Sequence, residues 1–123
     1  MPRSIDSHCR AFQLAIDVLG RPWTALILSV LQAGPMRFSQ LAEAAHGPGD
    51  KVLSARLKEL EARGLVERRV EPGPPVRVTY ELTSCGRRFE RVAVAIERWG
   101  RELEHESDRA RRRRRPVGAP SPV

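Results

Sequence analysis

Apolar residues recur along this chain first at helical and then at strand spacing, and the change of period marks out its elements. Cys9, Phe12, Ile16 and Leu19 repeat at three and four residues, a helical stripe closed by Gly20. Pro22 is placed to open a second helix, since proline is tolerated at a first helical position. Trp23, Leu26, Ile27, Val30 and Leu31 give that helix a broad buried face, and Gly34-Pro35 stops it. It is the expected centre of the core. Met36-Arg37-Phe38 reads as a short extended link. Ser39 is the expected N-cap of a brief helix over Gln40 to Ala45, with Leu41, Ala42 and Ala45 facing inward. Gly47-Pro48-Gly49 breaks the chain, and Asp50 caps a helix running to about Arg63 and ended by Gly64. Two helices joined by a tight glycine-containing turn form a helix-turn-helix pattern.

The period then shortens. Leu65 to Val70 and Val76 to Leu82 alternate apolar and polar residues, so each is expected as a strand with one buried face. Pro72-Gly73-Pro74-Pro75 between them is turn chemistry, which makes the pair a hairpin with a stiff tip. Thr83 is the expected cap of a last helix. Its apolar positions, Cys85, Phe89, Val92, Ile96, Trp99 and Leu103, are spaced 4, 3, 4, 3 and 4 apart, a heptad-like seam suited to another helix. The reading is a flexible stretch over 1–8, one α+β domain over 9–104, and a disordered Arg/Pro-rich tail over 105–123.

A helix-turn-helix followed at once by a hairpin is the winged-helix order. DNA reading needs a rigid helix with one face locked in the core and the other free to enter the major groove. At about 100° per residue, Leu53, Leu57 and Leu60 fall on one side of the second helix of the pair. Lys51, Ser54, Ala55, Lys58 and Ala62 fall opposite or beside them. Ala55 is small enough for close approach to a thymine methyl, and Lys51 and Lys58 reach guanine edges or phosphates. The plainer alternative is a surface helix with two solvated lysines.

Charge adds less than its total suggests. The net charge is +7, but from Glu106 onward six arginines stand against two acids, a net of +4 that leaves +3 for the rest. The Arg111 to Arg115 run is therefore either a salt-sensitive, sequence-blind attraction to DNA or a solvated tail. The chain lacks an apolar run of the ~18 residues a membrane span requires, and its polar start lacks the apolar centre of a secretion signal. A cytoplasmic location is the expectation. Cys9 and Cys85 are far apart and form no CxxC pair, and the three histidines stand at no metal-ligand spacing, so no metal or cofactor is expected. No nucleophile elbow or phosphate loop is present, which makes an enzyme the weakest reading.

Several blocks carry a resemblance to a known family. They are the early Cys9, Gly20 and Trp23 before an apolar helix, Gly34-Pro35, and Arg37-Phe38-Ser39-Gln40-Leu41. Leu53, Leu57 and Leu60 then lead to Glu61-Ala62-Arg63-Gly64-Leu65-Val66, and the set closes with Arg77-Val78-Thr79-Tyr80-Glu81-Leu82-Thr83 and Gly86. With these blocks the chain resembles the HxlR-type bacterial winged-helix regulators, relatives of the MarR group, from about Cys9 to Trp99. Three positions depart from the family pattern: Arg10 follows the first Cys in place of Pro, Pro22 precedes the Trp in place of a basic residue, and Gly49-Asp50 replaces an Ile-Ser opening.

The resemblance implies a dimeric repressor or activator, built through its first and last helices; the reading adopted is a dimer, a repressor by expectation, bound to a pseudo-palindromic double-stranded operator. Phe12, Phe89, Val92, Ile96, Trp99 and Leu103 are the expected dimer contacts. Arg37, Ser39, Gln40, Lys51, Ser54, Ala55, Lys58 and Arg77 are the expected DNA contacts. Arg77 beside the wing tip suits a minor groove or a phosphate, against the alternative of a solvated strand-edge cation. Arg37 suits a phosphate or an ion pair with a nearby Glu. Some regulators of this type sense oxidants through a Cys at the position of Cys9, which makes Cys9 a candidate redox sensor and an oxidant or small molecule a candidate effector. The alternative is a small buried apolar residue. Cys85, which opens the seam, is expected to be buried. A winged-helix module that binds another protein through the seam is the rival outside DNA binding.

Overall fold

The computed structural model describes residues 2–114, with side chains described from His8 onward. These residues form two units divided after Glu90. In the first, α1 (Pro2–Leu19) precedes α2 (Thr24–Val30), a 3-10 turn (Leu31–Ala33) and β1 (Met36–Arg37). Then come α3 (Phe38–Ala45), α4 (Asp50–Ala62), β2 (Val66–Glu71), β3 (Arg77–Leu82) and α5 (Ser84–Arg87). The second unit is carried by α6 (Phe89–Arg114), whose first two residues belong to the first. This is the α+β winged helix-turn-helix order.

The α2 helix starts at Thr24, two residues later than Pro22 suggested, because Trp23 takes a left-handed backbone with φ 71° that no α-helix can contain. The later start moves the buried stripe to Thr24, Ile27, Leu28 and Leu31, at helical spacings of three, four and seven. Trp23 and Leu26, expected inside, are 40% and 38% exposed, while Leu28 is buried. Leu41 and Ala45 of α3, which packs on α2, and Leu53, Leu57 and Leu60 of α4, which packs on β2, are buried with this stripe. Val66, Leu82 and Phe89 complete the core.

Both helices of the pair begin before the expected start, α3 by two residues and α4 by one. Ser39 lies inside α3 rather than capping it, and the exposed Arg37 N–H is satisfied by donating to Gln40 Oε1 at 2.9 Å. Asp50 is the first residue of α4, where its charge favours the N-terminal end of the helix dipole, and Gly49 takes the capping place. At the far end Gly64 adopts φ 76° and donates to Glu61 O at 3.0 Å, while Leu65 N–H reaches back to Leu60 O at 2.9 Å. This paired closure needs a left-handed residue, which glycine supplies without a side-chain clash.

The sheet order is β1-β3-β2 with both pairs antiparallel. β2 and β3 run in register from Val66 opposite Leu82 to Glu71 opposite Arg77. The Met36-Arg37 link is a third strand, paired with Tyr80 and Thr79. The expected buried face of the hairpin holds only at its base: Val66 and Leu82 are buried, whereas Val70 and Val76 towards the tip are exposed. A hairpin that projects beyond the core has nothing to cover its outer half.

Thr83 caps as expected, but the helix it starts is short, and α5 and α6 are separated at Arg88. Its hydroxyl accepts from Gly86 N–H at 3.1 Å and donates to Gly64 O at 2.6 Å, tying the end of α4 to the start of α5. Gly86 sits so close to the chain that a β-carbon there would lie 2.2 Å from Leu65 O. Cys85, expected to be buried, is exposed, because the core-facing place in α5 belongs to Gly86.

The expected ends of the domain also move. Residues 2–8 continue α1 rather than forming a flexible stretch, and α6 runs through 105–114. The continuation of α6 is supported by ion pairs one turn apart, Arg109 with Glu106 at 3.1 Å and Arg111 with Asp108 at 2.9 Å. Cations in its last turn also suit the negative end of the helix dipole. The expectation of disorder for 115–123 lies outside the described residues.

Two substitutions test this packing through urea unfolding. Leu57→Ala is expected to lower stability by about 2–5 kcal/mol through the cavity it leaves. Gly86→Ala is expected to cost about 1–3 kcal/mol through overpacking against Leu65. Unchanged midpoints for both would contradict the packing described.

Candidate DNA-binding interface

The leucines of α4 decide what its other side can do. With Leu53, Leu57 and Leu60 in the core, the opposite sector, about 100° wide, holds Lys51, Ser54, Ala55, Lys58 and Ala62. Lys51, Ala55, Lys58 and Ala62 are exposed and Ser54 is half-buried. The surface is basic at two positions one heptad apart and small between them, so a base pair can approach the backbone closely. Lys51 and Lys58 make no ion pair among the described residues, which leaves both ammonium groups available.

Arg37, Ser39 and Gln40 are exposed at the start of α3. The alternative for Arg37, an ion pair with a neighbouring Glu, is not formed among the described residues. Gln40 uses its carbonyl oxygen on Arg37 N–H and keeps its amide N–H groups for another acceptor. Arg77 is exposed opposite Glu71, next to the wing tip, and it too lacks an ion pair among the described residues. Arg68 on β2 is likewise exposed without an ion pair among the described residues, whereas Arg69 on β2 and Arg87 on α5 are paired. Arg69 pairs with Glu81 at 3.3 Å and Glu67 at 3.5 Å, and Arg87 also meets Glu81 at 3.5 Å.

The expected dimer set divides. Phe89 is only 9% exposed and fills the core, so it is not free to meet a second copy. Phe12 on α1 is exposed, and so are Val92, Ile96, Trp99 and Leu103 along one face of α6. Cys9 is exposed on α1 in the single chain.

Three features of the surroundings of α4 were not foreseen. Arg56, half-buried, donates from Nε to Pro22 O at 2.9 Å and pairs with Glu59 at 3.1 Å. Arg21 reaches the same carboxylate, with one nitrogen 2.8 Å from Oε1 and the other 3.4 Å from Oε2. The Arg21 guanidinium holds the Glu59 carboxyl below its ordinary range, and the carboxylate in turn raises Arg21. Trp23 lies over Gly47 so tightly that a β-carbon there would be 2.3 Å from its ring. Gly47 is therefore small for the sake of Trp23, while the left-handed turn itself falls on His46 at φ 48°. A left-handed Trp costs about 1–2 kcal/mol, which its contact with the turn offsets. Only the Gly-Pro-Gly run hinted that something packs closely here; nothing in the spacing pointed to Trp23.

Comparison with known proteins agrees with this architecture. The HxlR-like helix-turn-helix family pattern matches residues 18–108. The transcriptional regulator YvaP of Bacillus subtilis is 42% identical over 94 residues, covering 76% of this chain and 87% of that protein. The reduced form of the B. subtilis transcriptional regulator YodB superposes with a TM-score of 0.67 at 40% identity, over 71% of this chain and 85% of that one. YodB is also known in diamide-treated and quinone-bound forms. The redox regulator HypR in its oxidized form superposes with a TM-score of 0.68 at 29% identity, over 75% and 95% of the two chains. These relatives are transcriptional regulators rather than enzymes. With its two-helix reader, its wing and a family match across most of its length, this chain belongs to the HxlR-like helix-turn-helix family of DNA-binding transcriptional regulators.

Proposed function

We propose that the protein works as a cytoplasmic homodimeric repressor that reads a pseudo-palindromic operator through two copies of α4. The observation that carries this is the outer sector of α4, basic and small, on a helix fixed by three buried leucines. A rigid helix can discriminate base edges, which a flexible cation cannot. Arg37, Ser39 and Gln40 then meet the backbone beside the groove, and Arg77 brings the wing to the adjacent phosphates or minor groove.

The dimer is supported by apolar surface left bare. Val92, Ile96, Trp99 and Leu103 are each more than 40% exposed along one face of α6, and Phe12 is 63% exposed on α1. Burying such side chains is worth about 1.5–3 kcal/mol each, enough for a second copy to be the natural cover. A symmetric dimer places two reading helices on half-sites about one helical turn apart.

A redox-responsive version of this function is favoured by one observation, the exposed thiol of Cys9 on α1. It is in keeping with two similar chains, YodB with its diamide-treated and quinone-bound forms and the redox regulator HypR. Here an oxidant or electrophile acting on Cys9 would alter α1 and, through it, DNA binding.

Three measurements check these readings. Lys51→Ala and Lys58→Ala should each cost roughly 1–3 kcal/mol on the preferred duplex and relax preference at one position. Truncation after Ser107 should weaken all duplexes alike and flatten the salt dependence. If truncation abolishes preference while both lysine variants keep it, α4 is not the reader. Sedimentation of Trp99→Glu should show monomer or unfolded chain, and an unchanged dimer would exclude the seam. Cys9→Ser should keep DNA affinity while losing any response to diamide or a quinone, and a wild type indifferent to both would exclude the sensor.

A further inference from the structure

The Gly20–Trp23 link between α1 and α2 touches the reading apparatus at two separated places. At one, the Trp23 ring occupies the space above Gly47, in the turn that delivers the chain to α4. At the other, Arg21 forms a two-point contact with Glu59, and Pro22 O accepts from Arg56 Nε at 2.9 Å. Arg56 and Glu59 are themselves joined at 3.1 Å, so the Arg21, Glu59 and Arg56 side chains and the Pro22 carbonyl form a continuous set. Trp23 holds a left-handed backbone, φ 71°, which aims its ring at the turn and its neighbour Pro22 at α4.

None of these contacts lies on the outer sector of α4. They grip its flank, and together they fix both its rotation about its own axis and the place where it begins. The leucine stripe alone allows α4 to rock, because apolar contacts are non-directional, whereas a two-point guanidinium–carboxylate contact has a set geometry. We infer that the Gly20–Trp23 link is the positioning element of the reading helix, holding α4 at Arg56 and Glu59 and its approach at Gly47, so that base preference depends on residues that do not touch DNA. The inference rests on α4 being the DNA reader.

Charge supplies a test that separates positioning from simple electrostatics. Glu59→Gln removes an acid from α4, so electrostatics alone predicts tighter binding to every duplex. Positioning predicts the opposite for the preferred duplex, because a misaligned helix loses base contacts. The full chain is first used to select a duplex from a random-sequence library, which tests the DNA reading by itself. Wild type, Glu59→Gln, Arg56→Met, Arg21→Gln and the Arg21→Gln/Glu59→Gln pair are then titrated against that duplex and a shuffled one. Glu59 and Arg21 are exposed enough for the variants to fold, which thermal melting checks.

Glu59→Gln and Arg56→Met should each lower the ratio of selected to shuffled affinity about tenfold, the share of one good base contact. Binding of the shuffled duplex to Glu59→Gln should be unchanged or tighter. The Arg21→Gln/Glu59→Gln pair should lose no more preference than Glu59→Gln alone, since Glu59→Gln already removes the Arg21 contact. An unchanged ratio in folded Glu59→Gln and Arg56→Met overturns the positioning role and leaves the DNA reading intact. A wild type that enriches no sequence overturns both.

Discussion

Leu53, Leu57 and Leu60 on one side of α4 are the constraint from which the rest of the reading unit follows. Their burial in the core decides which side of α4 faces outward and which residues compose the outer sector. Losing any one leaves a cavity in a core of few large side chains, and such cavities cost about 2–5 kcal/mol each. The same burial fixes the end of the helix. Gly64 must turn left-handed where the stripe stops, and Leu65 O is then placed to accept from Thr83 and to press against Gly86. Stability and the geometry of the reader therefore rest on one set of contacts.

The directional contacts on the flank of α4 act differently. They are exposed or half-exposed, and exposed ion pairs contribute little to folding. What they add is orientation. A stripe of leucines defines a face; a guanidinium on a carboxylate, an arginine on a carbonyl and an indole over a glycine restrict how that face is turned. The strained backbone at Trp23 is kept in this region of the molecule, where surrounding contacts hold it.

How much of this was legible in the sequence follows from which signals are local. The leucine stripe, the Gly64 stop and the strand alternation are short-range patterns that recovered their elements to within one or two residues, and the Thr83 cap recovered a helix start but not the break at Arg88. The outer sector of α4 followed directly from the stripe, so helical spacing alone was enough to place Lys51, Ala55 and Lys58. What failed was tertiary. Pro22 looked like a helix start because its own preference allows it, but the left-handed Trp23, demanded by contact with Gly47, delayed the helix and shifted its buried face. Phe89 has the spacing of the α6 seam yet belongs to the core, since spacing cannot say where the core ends. Arg21, Arg56 and Glu59 looked like ordinary surface charges, because the links from Arg21 and Pro22 to α4 join positions more than thirty residues apart. The tail misled for a related reason: its arginine content hid the one-turn ion pairs that continue α6.

The pairing pattern also changes what the net charge of +7 means. Arg21, Arg56, Arg69, Arg87, Arg101, Arg109 and Arg111 each stand within 4 Å of a carboxylate. Their charge is spent within the chain, and an approaching phosphate would have to compete with a partner already in place. Lys51, Lys58, Arg37 and Arg77 have no such partner among the described residues, and they come from α4, the start of α3 and the wing. They are not the only open cations, since Arg10, Arg63, Arg68, Arg88, Arg91 and Arg98 also make no ion pair among the described residues. They stand, however, on the elements that a winged helix presents to a duplex, and a polyanion's attraction depends on open charges rather than on the sum.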